Sequence, residues 1–374
     1  MKLLFFSLKM IKLDGSYLEG GGALIRVALA LSTLTGKPFE VEKIRSGRPQ
    51  AGLKAQHLSA IKALKEICGA KTSDIELGTE RFWYHPGKIK RGVYEVDIGT
   101  AGSISLFLQA IIFPCLFAPG KVTIKVKGGT CGKWQASVDY LQNVLLPHLR
   151  KFVEKIELKI IKRGYFPKGQ GEIILEINPR FKISGYESFS QFSEDLIFKT
   201  AKTTLVEQGK LEQIRGNVNA SLDLQDKEVA ERIKKSAENC LRNYSVPINI
   251  RTEYQNTFST GGEIVLWALF SKDGKMNFDN PVILGSDALI EKGKSSEEIG
   301  REAAERLKKE IDSKTAVDKN LADQLILFVA LLPGSELNVM EITKHTQTNI
   351  YVTEKFLEVG FKIKGNIISV LEKE

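Results

Sequence analysis

A chain of 374 residues with 43% hydrophobic and 26% charged residues has the composition of an ordinary globular protein, long enough for two domains or one large domain with an insertion. The net charge of +9 favours an anionic partner such as nucleic acid or nucleotide, although charges of mixed sign also suit a solvated surface. Four cysteines, Cys68, Cys115, Cys131 and Cys240, show no CxxC spacing, which excludes a zinc site or disulfide framework and reads as free thiols in a reducing compartment. The opening Met1 to Leu8 resembles a weak signal sequence, but its apolar run is short and no small-residue cleavage site follows. Ile104 to Phe117 is the longest approach to a membrane span, and Gln109 and Pro114 interrupt it. The expectation is a soluble, cytoplasmic protein without a membrane partner, with Met10 an alternative start.

Taken in order, the chain repeats itself. A helix is expected from Ala23 to Leu34, stopping at Thr35-Gly36, then a strand Phe39 to Ile44, a basic loop Arg45 to Gln50 and a helix Gln56 to Ile67. A second copy starts at Ser103, with its helix ending at Pro119-Gly120, a strand Val122 to Lys127, a loop Gly128 to Lys133 and a helix Trp134 to Leu146. The third has helix Asn320 to Leu332, Pro333-Gly334, strand Glu336 to Ile342, a polar loop around His345 and a helix Tyr351 to Val359. Turn signals at His85-Pro86-Gly87 and Tyr165 to Gly169 add paired strands to the units.

The stop glycines measure the repeat. Gly36 and Gly120 are 84 positions apart, whereas Gly120 and Gly334 are 214 apart, an excess of about 130. The surplus has its own pattern: strand Gln213 to Leu222, helix Lys227 to Arg242, strands Ile248 to Tyr254, Glu263 to Phe270 and near Val282, and helix Ser296 to Ile311. The expected architecture is α/β of the α+β type: three repeated βαβαββ units forming a large domain, with a small inserted α/β domain. The boundaries expected are 1–184 for units one and two, 185–314 for the insertion and 315–374 for unit three.

Three motif tests bear on chemistry. Gly293-Lys294-Ser295 looks like the tail of a P-loop, but the required upstream glycine is Ala288. Gly20-Gly21-Gly22 lacks the GxGxxG spacing because residue 25 is isoleucine; as a glycine-lined helix start it still exposes N–H groups suited to phosphate, or it is a plain turn. Lys12-Leu13-Asp14-Gly15 fits the KxDG nucleophile motif of lysine-dependent nucleotidyltransferases, whose other motifs are not recognisable downstream.

His345 is the candidate nucleophile, expected at a strand-to-helix turn within Met340 to Ile350. Neutral imidazole attacks well near pH 7, and a phosphoramidate passes its nucleotide on readily. Glu19, beside three glycines, offers a hard oxygen to a divalent cation, or is simply a helix-start carboxylate. Arg26, one turn into the following helix, is placed to reach triphosphate or lies on a solvated face.

Leu13-Asp14-Gly15, Glu19 to Gly22, Arg45-Ser46-Gly47-Arg48 with Gly52-Leu53 and Gln56-His57-Leu58, Leu321 to Leu325, and His345 to Asn349 together resemble the RNA 3'-terminal phosphate cyclase family, in order over almost the whole chain. The resemblance implies an RNA-processing ligase that uses ATP, with Mg²⁺ or Mn²⁺, to convert an RNA 3'-terminal phosphate to a 2',3'-cyclic phosphodiester through a histidine–AMP intermediate on His345. It implies ATP contacts from Gln109 and from Asn320, Leu321, Ala322, Asp323 and Gln324, beside Glu19 and Arg26, with Glu19 as metal ligand. Asn320 departs from the tyrosine or histidine common at its position. Arg45 and Arg48, in the unit-one loop corresponding to the His345 loop, suit the RNA 3'-phosphate through their guanidinium forks, with Gln56 and His57 behind them; otherwise they form a solvent-facing basic loop. Two alternatives remain: a non-catalytic cyclase-like ribosome-biogenesis factor, whose members lack the matching histidine, and an enolpyruvyl transferase, which needs about six repeats.

Overall fold

The structure, a computed structural model, describes residues 10–18, 20–99 and 101–372. It contains four four-stranded sheets. The first is built from β1 (Ile11–Asp14), α1 (Ala23–Thr35), β2 (Phe39–Glu42), α2 (Ala55–Cys68), β3 (Lys71–Thr72) and β4 (Phe82–His85), in the order β1-β2-β4-β3. Strands β1 and β2 run parallel, Ile11 opposite Phe39, and the other neighbours are antiparallel. The second comes from β5 (Gly92–Asp97), α3 (Ile104–Cys115), β6 (Val122–Gly128), α4 (Val138–Tyr140), a π-helical turn Leu141–Leu145, α5 (Leu146–Leu149), β7 (Val153–Lys162) and β8 (Gly171–Pro179). Its order, β5-β6-β8-β7, repeats the same one parallel and two antiparallel pairings.

After α6 (Phe189–Lys199) and β9 (Thr204–Leu205) the chain enters the third sheet in sequence: β10 (Lys210–Ser221), α7 (Val229–Leu241), β11 (Ile248–Gln255), β12 (Gly262–Ser271), β13 (Ile283–Leu289) and α8 (Ser296–Asp312), ordered β11-β10-β12-β13. It closes with α9 (Lys319–Val329), β14 (Glu336–Asn338), α10 (Lys344–Phe356), β15 (Val359–Lys364) and β16 (Ile367–Glu372). Strand β9 completes that last sheet, β15-β16-β14-β9, by pairing parallel to β14 with Thr204 opposite Glu336. A strand of the C-terminal sheet therefore lies within the segment 185–314 expected as the insertion, before the third sheet. Within the expected segment 185–314, Phe192, Leu196 and Leu205 pack with the large hydrophobic cluster, while the smaller cluster runs from Ile214 to Ile311.

Strand β12 shows how the two bodies join. Its even positions Ile264, Leu266, Ala268 and Phe270 belong to the small cluster under α7 and α8, and its odd positions Val265, Trp267 and Leu269 belong to the large one. Successive strand residues point to opposite faces, so a run that is apolar at every position is buried on both sides. The third sheet is thus packed on both faces, against the small cluster on one side and the large cluster on the other.

Helix α1 organises the large cluster. It is buried from Ala23 to Leu34 and packs against α3 and α10. Gly36 ends it with φ 74°, its N–H donating to Ser32 O, as the sequence pattern predicts. The second helix departs from expectation: α3 stops at Cys115, with Pro114 in its last turn, instead of reaching Pro119-Gly120. Ser295, the apparent P-loop tail, is the N-cap of α8, and Glu298 closes a capping box with it. No helix among the described residues is long and apolar enough to cross a membrane.

Candidate active site

A cleft of about 720 Å³ opens where α1, α3, α9 and α10 meet the loop 132–136 and the edge of the insertion. Ala23, Arg26, Gln109, Asn320, Asp323, Gln324 and His345 all line it. His345 lies not in a loop but in the first turn of α10, two residues after the N-cap Thr343, and is exposed. The expected strand to Ile342 stops at Asn338, and the helix starts seven residues before the expected Tyr351. Thr343 accepts from Thr346 N, and this local cap competes successfully with extended structure.

Asp323 fixes that helix start. Its Oδ1 accepts from Thr343 Oγ1 and Thr346 Oγ1, both at 2.6 Å, while its backbone oxygen accepts from Asn349 Nδ2 at 2.6 Å. Asn349 also lines the cleft, one turn beyond His345 on the same helix face. The i, i+4 spacing of His345 and Asn349 carries a signal for it that the sequence reading did not use. Gln324 donates from Nε2 to Asn320 O at 3.2 Å, and its buried Oε1 has no hydrogen-bond partner. Leu321 and Ala322, included among the expected nucleotide contacts, are fully buried in the large cluster and do not line the cleft. The helical period puts residues 320, 323, 324 and 327 on the cleft side and turns 321, 322 and 325 inward.

On α1, Arg26 donates from Nε to Gln109 Oε1 on α3 at 2.7 Å, so two of the residues expected to contact ATP meet directly. Helix α1 begins at Gly22 with no side-chain cap. A Cβ on Gly22 would stand 2.5 Å from His57 Nε2 and 2.9 Å from Arg26 Nη1, which explains the glycine there. Glu19 lies outside the described residues. Among the described residues no group of three or more His, Cys, Asp or Glu side chains is gathered for a metal. The adjoining loop is tied to α10 by Tyr17, whose ring stacks on Tyr351 at 4.0 Å.

Arg45, Arg48, Gln56 and His57 do not line the cleft. His57 is 1% exposed, accepts at Nδ1 from Lys54 N at 3.0 Å, and has no partner at Nε2. Burial, then the charges of Arg26, Arg45 and Lys54, push its pKa well below the usual histidine range. With Nδ1 accepting, its Nε2 lies buried behind Gly22. Gln56 is half-buried, Arg45 is half-buried with φ 56°, and Arg48 is exposed. The expected helix from Trp134 starts only at Val138, and the loop 132–136, where no site residue was expected, supplies a cleft wall with Trp134 97% exposed.

The walls are held together by Asp318, the N-cap of α9. Its Oδ1 accepts from Asn320 N, Leu321 N and, at 2.6 Å, the Tyr140 hydroxyl, and its Oδ2 accepts from Gly285 N at 2.8 Å. Burial pushes this carboxyl up, and the four donors oppose the shift.

The RNA 3'-terminal phosphate cyclase family model matches residues 17–363. The chain belongs to this family. It is 40% identical over 358 residues to the RNA 3'-terminal phosphate cyclase of Pyrococcus furiosus, covering 96% of each chain. The RNA 3'-terminal phosphate cyclase of Archaeoglobus fulgidus is 38% identical over 362 residues, 96% of this chain and 100% of that one. That of Methanopyrus kandleri is 38% identical over 368 residues, covering 96% of each. The cyclase resemblance noted in short blocks thus extends over nearly the whole chain.

Proposed function

We propose that the protein converts an RNA 3'-terminal phosphate to a 2',3'-cyclic phosphodiester at the expense of ATP, through a covalent AMP adduct on His345. The observation that carries this reading is His345 exposed in the first turn of α10, in one cleft with Arg26, Gln109 and Gln324. The relatives named as cyclases support it. In the proposed sequence an imidazole nitrogen of His345 attacks the α-phosphorus and pyrophosphate leaves. AMP then passes to an oxygen of the RNA 3'-phosphate, releasing the histidine. The neighbouring 2'-hydroxyl attacks the activated phosphorus, loses its proton and expels AMP.

Each protein group has a physical task in this scheme. The uncapped start of α1 and Arg26 bind phosphate oxygens through N–H donors and a guanidinium held by Gln109. Asp323 keeps the first turn of α10 rigid, so His345 starts close to its attacking geometry. ATP is taken with a divalent cation, Mg²⁺ or Mn²⁺, as a metal–nucleotide substrate, and Glu19 is the proposed protein ligand. Arg45 and Arg48 are proposed to take the RNA 3'-phosphate next to the α1 start, joined to it through His57.

Incubation with α-labelled ATP followed by peptide mapping tests the central step: label on the peptide containing His345 is expected. Label on Lys12, which is exposed on β1 and does not line the cleft, would move the chemistry to the lysine-dependent class. No covalent label with intact RNA binding would favour the non-catalytic reading.

A further inference from the structure

Three aromatic rings stand in solvent on the rim of the cleft and beyond it, and no step above uses them. Trp134, in the loop 132–136 that lines the cleft, is 97% exposed, and Phe166 and Phe258, in the loops 163–170 and 255–262, are 78% and 54% exposed. Trp134 also holds φ 61°, the left-handed region that a bulky side chain enters only at a cost. An exposed indole on strained backbone adds nothing to the stability of the free protein, which points to a ligand that covers it.

The three loops form one surface. Thr130 N donates to Gly164 O at 2.9 Å, Lys168 N to Ser259 Oγ at 3.1 Å, and Ile290 N to Gly262 O at 2.9 Å, the last leading to Glu291 and Lys294 at the cleft. A Cβ on Gly261 would stand 2.8 Å from Tyr165 Cβ, so the glycine lets the loop between β11 and β12 lie directly on the loop after β7.

Between its rings the surface is basic. Segments 130–136, 162–170 and 255–262 contain Lys133, Lys162, Arg163 and Lys168 and no acid. Arg163 is turned inward onto Asp139, while the Lys162 ammonium lies over the Phe258 ring at 4.3 Å. The acids at the border are engaged: Glu291 by Lys133 and Lys294, Glu172 by Lys127, Asp223 by the Thr260 hydroxyl and Glu253 by the Gln255 amide. Exposed rings interleaved with lysines match a single strand of nucleic acid, in which every base offers a face to a ring and every phosphate an oxygen to an ammonium. A duplex hides those faces.

We propose that the RNA leaves the cleft across this surface as a single strand, with the base at its 3' end stacked on Trp134, bases further from the end on Phe166 and Phe258, and backbone phosphates on Lys162 and Lys168. This rests on the reading of the cleft as the place where an RNA 3' end reacts. Stacking is indifferent to base identity, so the strand is gripped without sequence preference near its end. A dinucleotide meets Trp134 alone, whereas a longer strand meets all three rings.

The test uses the full chain and equilibrium filter binding of 5'-labelled, 3'-phosphorylated RNA of two and eight nucleotides, with tryptophan emission read on unlabelled strands. The parent is expected to bind the octanucleotide ~10-fold tighter than the dinucleotide, and both strands to quench tryptophan emission. Trp134→Leu is expected to lose ~10-fold in affinity for both lengths together with the quenching, while Trp134→Phe keeps most of the affinity. Phe166→Leu combined with Phe258→Leu is expected to erase only the advantage of the longer strand. Lys168→Gln is expected to lower the slope of log affinity against log salt by ~0.7. Phe198→Leu, at an exposed ring on α6, is the control and is expected to match the parent. All these side chains are on the surface, so melting temperatures are expected to stay at the parent value.

Unchanged octanucleotide affinity in Trp134→Leu and in the double variant overturns the proposal, as does an equal loss in Phe198→Leu. A loss in Trp134→Leu confined to α,β-methylene-ATP also overturns it and assigns the ring to the nucleotide. Loss of self-association, or of binding to phosphatidylserine vesicles, with RNA affinity intact overturns it in favour of a second copy or a lipid surface. A parent that binds neither RNA refutes the RNA-substrate reading itself, which separates the two failures.

Discussion

Two helix starts line the cleft, and they are built in opposite ways. Helix α10 is closed by its own chain: Thr343 caps Thr346 N, and Asp323 holds both threonine hydroxyls. Helix α1 begins at Gly22 with no side-chain cap and no acidic residue in its first turn. A helix end whose N–H groups are satisfied internally is stiff, and one whose N–H groups are left open is a seat for an anion. The first arrangement suits a start that carries the reacting group, the second a start that receives phosphate.

Removing the proposed nucleophile is the most severe test of this contrast. His345→Ala is expected to abolish covalent AMP labelling, a loss to background, while Lys12→Ala keeps it, both read by transfer of α-label to protein. Loosening the closed start comes next. Asp323→Ala removes the acceptor of two hydroxyl hydrogen bonds, and at about 3 kcal/mol of lost positioning the adenylation rate falls ~10²-fold in single-turnover measurements. A drop in ATP affinity without a change in that rate would assign Asp323 to the nucleotide.

Replacing Arg45 and Arg48 together by alanine is expected to slow cyclisation ~10²-fold while self-adenylation stays near normal, if about 3 kcal/mol of phosphate positioning is lost. Equal loss of both half-reactions would mean that the arginines serve ATP. Filling the open start has a smaller effect. The methyl of Gly22→Ala meets His57 and Arg26, so ATP affinity is expected to fall ~10-fold with about 1–2 kcal/mol of stability, read by calorimetry and chemical unfolding.

The mildest probe is pH. His57 is neutral in the fold with its pKa depressed, so the unfolded chain binds the proton more readily. Its contribution to stability is present above the unfolded value of about 6.5 and is lost as pH falls below it, at up to about 1.4 kcal/mol per pH unit. His57→Gln is expected to reduce the fall of the melting temperature between pH 6.5 and 5, leaving the share of His148, which burial pushes down to about 3; an unchanged slope would show that His57 does not contribute.

How much of this was legible depends on the length of the signal. Helix α1, its closing Gly36 and the apolar strand β12 are long patterns, and each appears close to where periodicity puts it. Strand β9 is two residues long, too short to show any alternation, and only its pairing with Glu336 and Leu337 reveals it. The turn carrying His345 read as a loop because Met340 to Ile342 looks extended, whereas Thr343 starts a helix through one hydroxyl. Family blocks carried Leu321 and Ala322 along with their neighbours, and the helix turned them inward. The burial of Glu310 at the edge of the cleft was invisible for a different reason: α8 is rich in Glu and Lys, and nothing in such a run marks which glutamate turns away from water.

The short strand β9 has a consequence for how the molecule is made. Thr204 and Leu205 cannot find Glu336 and Leu337 until about 130 further residues, including the whole inserted layer, have been synthesised. On a ribosome adding about 5–20 residues each second, that edge waits many seconds unpaired, and the helix bearing His345 lies beyond it in the chain. Catalytic competence is therefore expected to be the final property the nascent chain acquires, after the open start of α1 has formed.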